Sequence, residues 1–407
     1  MTASVAVRSG SAPGFDELLR RASALVPALR ERAQSAENNR RVPEQTIREL
    51  VAAQLFDIQK PAAFGGFELG LCEFIDVVAM LGRGCASTAW VYGVTAERSW
   101  LLAKFPAQAQ RDVWDANPGA LVTSSITADG TATEAPGGVR VRGAWHFVSG
   151  IDIADWCVFC TSRAPVAATG MVQGTASGKL VYIVVPRSAC EIIDTWHVAG
   201  LAATGSRDVK LHDVFVPEHR IVPVQELKEG RGPGLQLNQA PLFRLPLIAV
   251  NPYAILAPLL GVAEGALEQT LSGARARRMV TTGRAAAELQ SVQLRIAEAA
   301  AEIDAARALI MRDCREAMAA VTDVGELSIE QRIRLRRNQS FATRMLVAAI
   351  DRLFAVAGGR GIYLDHYMQR AFRDVHAGAS HLGLSWDNCG TMWGQHALGL
   401  DVTTPAY

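Results

Sequence analysis

A chain of 407 residues with 49% hydrophobic content is long enough for two or three domains with sizeable cores. Its formal net charge of +1 argues against nucleic acid or an anionic membrane surface as the main partner. Seven cysteines, with Cys157 and Cys160 the one closely spaced pair, point to free thiols in a reducing, cytoplasmic compartment and not to a disulfide framework.

In chain order, residues 1–12 are small and polar, lack periodicity, and read as a disordered N-terminus. From Phe15 the pattern turns helical, with Leu18, Leu19, Ala22, Leu25, Val26 and Leu29 on one side of a charged segment. A second helix opens at Val42-Pro43-Glu44, where proline suits the first turn, and runs to about Leu55. Pro61-Ala62-Ala63-Phe64-Gly65-Gly66 is a turn, residues 71–81 and 88–104 are helical, and Pro106 starts another helix. These elements form a helical domain over 13–117.

The character changes at Gly119. Runs at 121–126, 139–148, 156–161, 180–185 and 209–216 are short and rich in β-branched and aromatic residues, with Asp129-Gly130 and Gly137-Gly138 as turn signals. A β domain over 118–232, a small antiparallel barrel or sandwich, is expected. Cys157 and Cys160 fall inside one of its apolar runs without a second ligand pair, so the reading is a buried strand, and no metal site is expected.

The helical period returns at about Leu235 and defines a third domain over 233–407. Its most apolar stretch, 245–267, is interrupted by Asn251, Pro252, Pro258 and Gly261 and reads as a buried helix rather than a membrane span. Leu289, Val292, Ile296, Ala299, Ile303, Ala306 and Ile310 alternate steps of three and four, the seam of a bundle helix. A partner helix covers 329–356, with Arg332, Arg334, Arg336 and Arg337 as its solvated or intersubunit face, and ends at Gly358-Gly359-Arg360-Gly361. Farther on, Arg373-Asp-Val-His-Ala-Gly-Ala-Ser-His381 holds two histidines. If helical, Ala377, Gly378 and His381 share a stripe with Asp374 a turn back, and an imidazole overlooks a floor without side chains. The alternative is a frayed helix end with Gly378 and Ser380 in a turn. His376 falls on a different face from His381; His146 and His396 read as structural or surface residues.

Several motifs, in this order, resemble the acyl-CoA dehydrogenase fold from about Phe15 to the end: Pro61 to Gly66; Trp145-His-Phe-Val-Ser-Gly150; Gly200-Leu-Ala-Ala-Thr-Gly-Ser-Arg-Asp208 running into Asp213-Val-Phe-Val-Pro217; Gln290-Ser-Val-Gln293; and Gly358 to Gly361. The resemblance implies an α+β architecture of an N-terminal helical domain, a central antiparallel β-barrel or sandwich and a C-terminal four-helix bundle. The dehydrogenases carry a catalytic glutamate followed by Gly-Thr after the Arg-Asp helix, and this chain has no glutamate beyond Arg373. It is instead similar to the two-component flavin monooxygenases of this fold, such as the 4-hydroxyphenylacetate and 3-hydroxy-seco-steroid hydroxylases, which carry a histidine at the position of His381.

That family implies an oxygenase component that hydroxylates an aromatic or polycyclic substrate through a flavin C4a-hydroperoxide. Reduced FMN, or alternatively FAD, comes from a separate NAD(P)H:flavin reductase, and the assembly is a homotetramer. By the same resemblance His381 lies near flavin C4a as a group titrating near neutrality, and Ser149 faces flavin N5. Trp145 and Phe147 flank Ser149 in the flavin-binding motif, and Ser124 and Ser125 line the pyrimidine edge and the substrate. Thr204, Gly205, Ser206, Arg277, Arg278, Gly359 and Arg360 are assigned to the flavin ring and its phosphate. Trp90, Arg98 and Trp100 are assigned to substrate, with Arg98 standing where the phenol hydroxylases have a histidine. Nitrogen or sulfur oxygenation, an acyl-CoA dehydrogenase-like flavoprotein, and a non-catalytic flavin-binding protein are the alternatives.

Overall fold

The computed structural model describes residues 13–164, 179–278 and 283–403; the expected disordered N-terminus at 1–12 lies outside them. The first helix, α1 (Phe15–Asn39), buries Leu18, Ala22, Val26, Leu29, Ala33 and Ala36, a stripe at steps of three and four. Next come α2 (Glu44–Ala52), which opens after Pro43, α3 (Leu71–Gly82), α4 (Ala86–Leu102) and α5 (Ala107–Trp114). α4 is buried on nearly every side because α3, a later bundle helix and the first strand all pack on it. It is therefore the wall shared by the helical and β domains.

The strands are β1 (Val122–Ser125), β2 (Gly130–Ala135), β3 (Gly138–Val148), β4 (Trp156–Ala164), β5 (Lys179–Pro186), β6 (Glu191–Ile193), β7 (Arg207–Pro217) and β8 (Ile221–Pro223). They pair in the order β6-β7-β3-β2-β4-β5-β8, with β1 beside β4. The sheet is mixed where an antiparallel one was expected. β1 pairs in parallel with residues 156–159 of β4, and β2 in parallel with residues 162–164, because the chain runs along one edge of β4 twice in the same direction. β2 was not anticipated: Gly-Thr-Ala-Thr-Glu-Ala has Ala132 as its one fully buried residue. β6 and β8 span three residues each, too short for any alternation to register.

Side chains along β4 alternate between two cores. Cys157 and Phe159 enter the core of the β domain, while Val158 and Cys160 enter the larger helical core. The two cysteines of the CxxC thus point to opposite faces of a buried strand and cannot chelate together.

α6 (Val224–Lys228) and α7 (Leu247–Val250) lead into the bundle helices α8 (Tyr253–Ala276), α9 (Gln290–Asp323), α10 (Ile329–Ala357), α11 (Tyr367–Ala379) and α12 (Trp386–Ala397). α9 buries Val292, Ala299, Ile303, Ala306 and Ile310, as its spacing predicts. α10 starts on a capping box in which Ser328 Oγ accepts from Gln331 N at 3.1 Å and Gln331 Oε1 accepts from Ser328 N at 2.8 Å. Of the arginines expected on its outer face, Arg336 is 3% exposed, because α8 and α12 pack on α10, and it donates to Gln339. Among the described residues no helix is long and apolar enough to cross a membrane.

α11 docks on the loop 199–206 that precedes β7. A Cβ on Gly200 would lie 2.2 Å from the Arg373 carbonyl oxygen, so only glycine admits this approach. Arg373 reaches back to the Ala199 carbonyl and to Glu37 of α1. Gly200→Ala is expected to lower stability by about 1–3 kcal/mol through overpacking against backbone, read as a fall in thermal midpoint with the far-ultraviolet spectrum retained. An unchanged midpoint would contradict this docking.

Candidate functional site

Five of the expected site residues meet where α4, the β3 end, the loop before β7 and the α11 end converge. β3 carries a register shift between Trp145 and Val148, and at this bulge Phe147 has φ 58°, a strained value for a bulky residue. The kink turns the Phe147 ring out against Trp196, edge to face at 6.0 Å, and delivers Ser149 to the α4 side. There Ser149 Oγ accepts from Trp90 Nε1 at 3.2 Å and bonds Ser206 Oγ at 2.7 Å. Ser206 Oγ bonds Thr204 Oγ1 at 2.7 Å, and Thr204 Oγ1 donates to the Leu201 carbonyl at 2.8 Å.

His381 closes the group from the other side, its ring 6.0 Å from the Trp90 ring. α11 stops at Ala379, so His381 lies just beyond the helix. Its Nδ1 accepts from Gly383 N at 2.9 Å, which places the proton of the neutral ring on Nε2. Burial, reinforced by the Arg336 guanidinium, pushes His381 down to about 4. The expected group titrating near neutrality is therefore a neutral N–H donor at pH 7. Gly378 is helical, and the space a side chain would fill is taken by Leu259 and by Trp90, whose Cζ3 lies 3.1 Å from an added Cβ. The flat body over that glycine is Trp90 rather than a ligand.

Asp374, unassigned by sequence reasoning, holds this corner together. Its Oδ1 accepts from Leu201 N at 2.6 Å, fixing the residue whose carbonyl ends the hydroxyl chain. Burial raises Asp374 to about 6. The signal available in sequence was an acidic residue on the apolar side of α11.

Other expected site residues are placed elsewhere or are already engaged. Trp145 is fully buried in the β-domain core, stacked on Phe159 at 4.6 Å and donating to the Cys160 carbonyl at 2.8 Å, so its ring faces no ligand. Trp100 is 1% exposed and donates to the Leu242 carbonyl at 2.7 Å, with Lys104 above its ring. Arg98, two turns along α4 from Trp90, is buried, paired with Glu97, and donates through Nε to Ser124 Oγ at 2.5 Å. Asn251 supports Glu97 at 3.2 Å. Ser125 points the other way along β1 and bonds Thr127 and the His146 carbonyl.

Gly205, at φ 53°, packs its α-carbon against Asp152. Arg277 spends both Nη atoms on the Ala357 and Val356 carbonyls at 2.9 and 2.8 Å, capping α10 beside Gly359 and Arg360. Its Nε is buried without a partner among the described residues, and Arg278 donates to the Gly283 carbonyl at 3.1 Å. This second cluster precedes α11 and His381 follows it. With 13 residues, α11 separates the two by roughly 20 Å. His376 pairs with Asp351 at 2.9 Å and His146 with Asp208 at 2.9 Å, both away from the site.

The donor set around Trp90 comprises hydroxyls, an indole N–H and a neutral imidazole, with no carboxylate among them. Such a set suits a flat heteroaromatic ring with its own donors and acceptors and offers nothing to a cation. The acyl-CoA dehydrogenase N-terminal domain family matches residues 20–115 and the C-terminal domain family residues 253–386. Over 393 residues, 94% of both chains, the sequence is 38% identical to the FADH(2)-dependent resorcinol hydroxylase, oxygenase component, of Rhizobium sp. (strain MTP-10005). The chain belongs to the flavin-dependent monooxygenase oxygenase components.

The crystal structure of 3-HSA hydroxylase from Rhodococcus sp. RHA1 is 33% identical with a TM-score of 0.90, covering 97% of this chain and 100% of that one. XiaF from Streptomyces sp. in complex with FADH2 and glycerol is 28% identical with a TM-score of 0.88, covering 97% of this chain and 98% of that one. As an oxygenase component of a two-component system, this flavin-dependent monooxygenase works with a separate flavin reductase on an aromatic substrate.

Because the raised Asp374 value exceeds the roughly 3.9 of an unfolded aspartate, the folded chain binds a proton that the unfolded chain lacks between pH 4 and 6. Stability relative to Asp374→Asn is expected to rise as pH falls through this window, by up to about 3 kcal/mol, and to be level above pH 7. Urea unfolding of both proteins from pH 4 to 7 measures this, and parallel profiles would show that Asp374 does not titrate in that window.

Proposed function

We propose that Ser149 and His381 flank the reacting edge of reduced flavin, with Ser149 Oγ facing N5 and His381 Nε2–H on the side where oxygen is activated. The observation that carries this reading is the meeting of Ser149, Ser206, Thr204, Trp90 and His381 in one hydrogen-bonded and packed corner. When bound, reduced flavin supplies the electrons that activate oxygen. The chain's own residues exclude water, accept the N5 proton's hydrogen bond and present a neutral N–H to the oxygen being transferred. FADH2 is favoured over FMN by the names of the resorcinol hydroxylase and of the XiaF complex.

The substrate lies toward Arg98 and Ser124. Ser124 Oγ accepts from Arg98, which leaves its own proton free for a phenolic oxygen, and Glu97 holds the guanidinium in place. The cluster of Gly359 and Arg360, across α11 and about 20 Å from His381, serves the flavin phosphates of a neighbouring copy. Ile362, Tyr363 and Leu364, exposed at 66, 62 and 74% beside that cluster, fit burial between copies in a homotetramer. All seven cysteines are free, in keeping with a cytoplasmic enzyme.

Rapid mixing of the anaerobic complex of protein and FADH2 with oxygenated buffer is expected to give a transient absorbing at shorter wavelength than the oxidised flavin band. With resorcinol present, hydroxylated product follows. His381→Ala is expected to reduce product per flavin oxidised on the order of 10²-fold, with peroxide formed instead. Unchanged coupling would overturn the role of His381. Co-assembly of Arg360→Ala and His381→Ala chains is expected to recover activity absent from each alone, since some sites then receive two intact contributions; no recovery would place both clusters in one subunit's site.

A further inference from the structure

The hydroxyl chain between Trp90 and Leu201 has a fixed proton polarity. The Leu201 carbonyl can only accept, and it does so from Thr204 Oγ1 at 2.8 Å, Thr204 N at 3.1 Å and Trp196 Nε1 at 3.2 Å. Thr204 has one hydroxyl proton and spends it there, so in the 2.7 Å bond between Thr204 and Ser206 the donor is Ser206. Ser206 has then spent its proton, so in the 2.7 Å bond between Ser206 and Ser149 the donor is Ser149. At the far end Trp90 Nε1, which can only donate, fills one lone pair of Ser149 at 3.2 Å. Ser149 faces the site with one open lone pair and no proton to give.

We propose that Ser206 and Thr204 are positioning residues that lock Ser149 as an acceptor, and that this polarity makes the site select reduced over oxidised flavin. The proposal rests on the assignment of Ser149 to flavin N5. Reduced flavin carries N5–H, a donor that completes the open lone pair. Oxidised flavin presents N5 as an acceptor, and acceptor then meets acceptor with no hydroxyl able to rotate in between, because each is committed down the chain. Asp374 sets the frame by holding Leu201 N at 2.6 Å, which orients the carbonyl that anchors the whole sequence. The selection matches what a site filled by a separate reductase needs, since spent oxidised flavin is expelled by the same atom that retained the reduced form.

The test is the ratio of dissociation constants for oxidised and reduced FAD, from fluorescence titration in air and anaerobic titration, with the midpoint potential of bound flavin as a second readout. Wild type is expected to prefer the reduced form. Ser206→Ala frees the Ser149 proton, and Thr204→Val lets Ser206 reverse and free it indirectly. Each is expected to lower the ratio about tenfold, the worth of one net hydrogen bond, or about 30 mV in a two-electron midpoint. Thr204→Ser keeps the hydroxyl and should retain the wild-type ratio. A wild-type preference that persists in both Ser206→Ala and Thr204→Val would overturn the polarity proposal while leaving the flavin assignment standing. A wild type that binds neither form, or both alike, would overturn the assignment of Ser149 to N5 and this proposal with it.

Discussion

The bond from Leu201 N–H to the Asp374 carboxyl, made possible by the bare α-carbon of Gly200, joins the two halves of the molecule. On one side of it lies a β domain that carries Ser149, Thr204 and Ser206. On the other lies a bundle whose helix α11 delivers His381. Neither half holds a complete site. The contact is short, buried and backbone-directed, so it fixes position as well as attraction. A carboxyl oxygen and a glycine next to a helix carbonyl leave little room for the loop to slide.

At neutral pH the groups that face Trp90 in the candidate site, Ser149 and His381, are uncharged. His381 is held neutral by burial and Arg336, and the guanidinium of Arg98 is matched by Glu97. In the candidate site it is which atoms donate and which accept, more than charge, that distinguishes one face from another. On the proposed polarity, directional hydrogen bonds of this kind would discriminate between redox forms that differ by a single N–H, where a diffuse charge would not.

Much of this organisation was legible in the chain. The steps of three and four in α1 and α9 are packing stripes, and the order of helices, strands and helices is the observed one. β2 escaped because its small residues leave it almost no buried alternation, and the parallel pairings of β4 depend on a path no local pattern encodes. At the site, motifs point to Ser149, Thr204, Ser206 and His381, and the fold brings these residues together with Trp90. Trp145 and Trp100 show the limit: an aromatic ring lining a ligand and one filling a core carry the same sequence signal, and both of these fill cores. Arg277 is similar, since an arginine that caps a helix looks like one that grips phosphate. Asp374 was passed over because its partner is a backbone N–H more than 170 positions away, as the 173-residue separation of the pair records.

Trp90 and Arg98 lie two turns apart on α4, one tied to the hydroxyl chain and the other to Ser124. On the proposed assignment, a single helix carries the oxygen-activating wall at one end and the substrate-facing wall at the other. Lineages could exchange residues around Arg98 and acquire new aromatic diets while inheriting the flavin corner intact. On that assignment the helix would act as an evolutionary firewall, keeping substrate choice apart from oxygen chemistry.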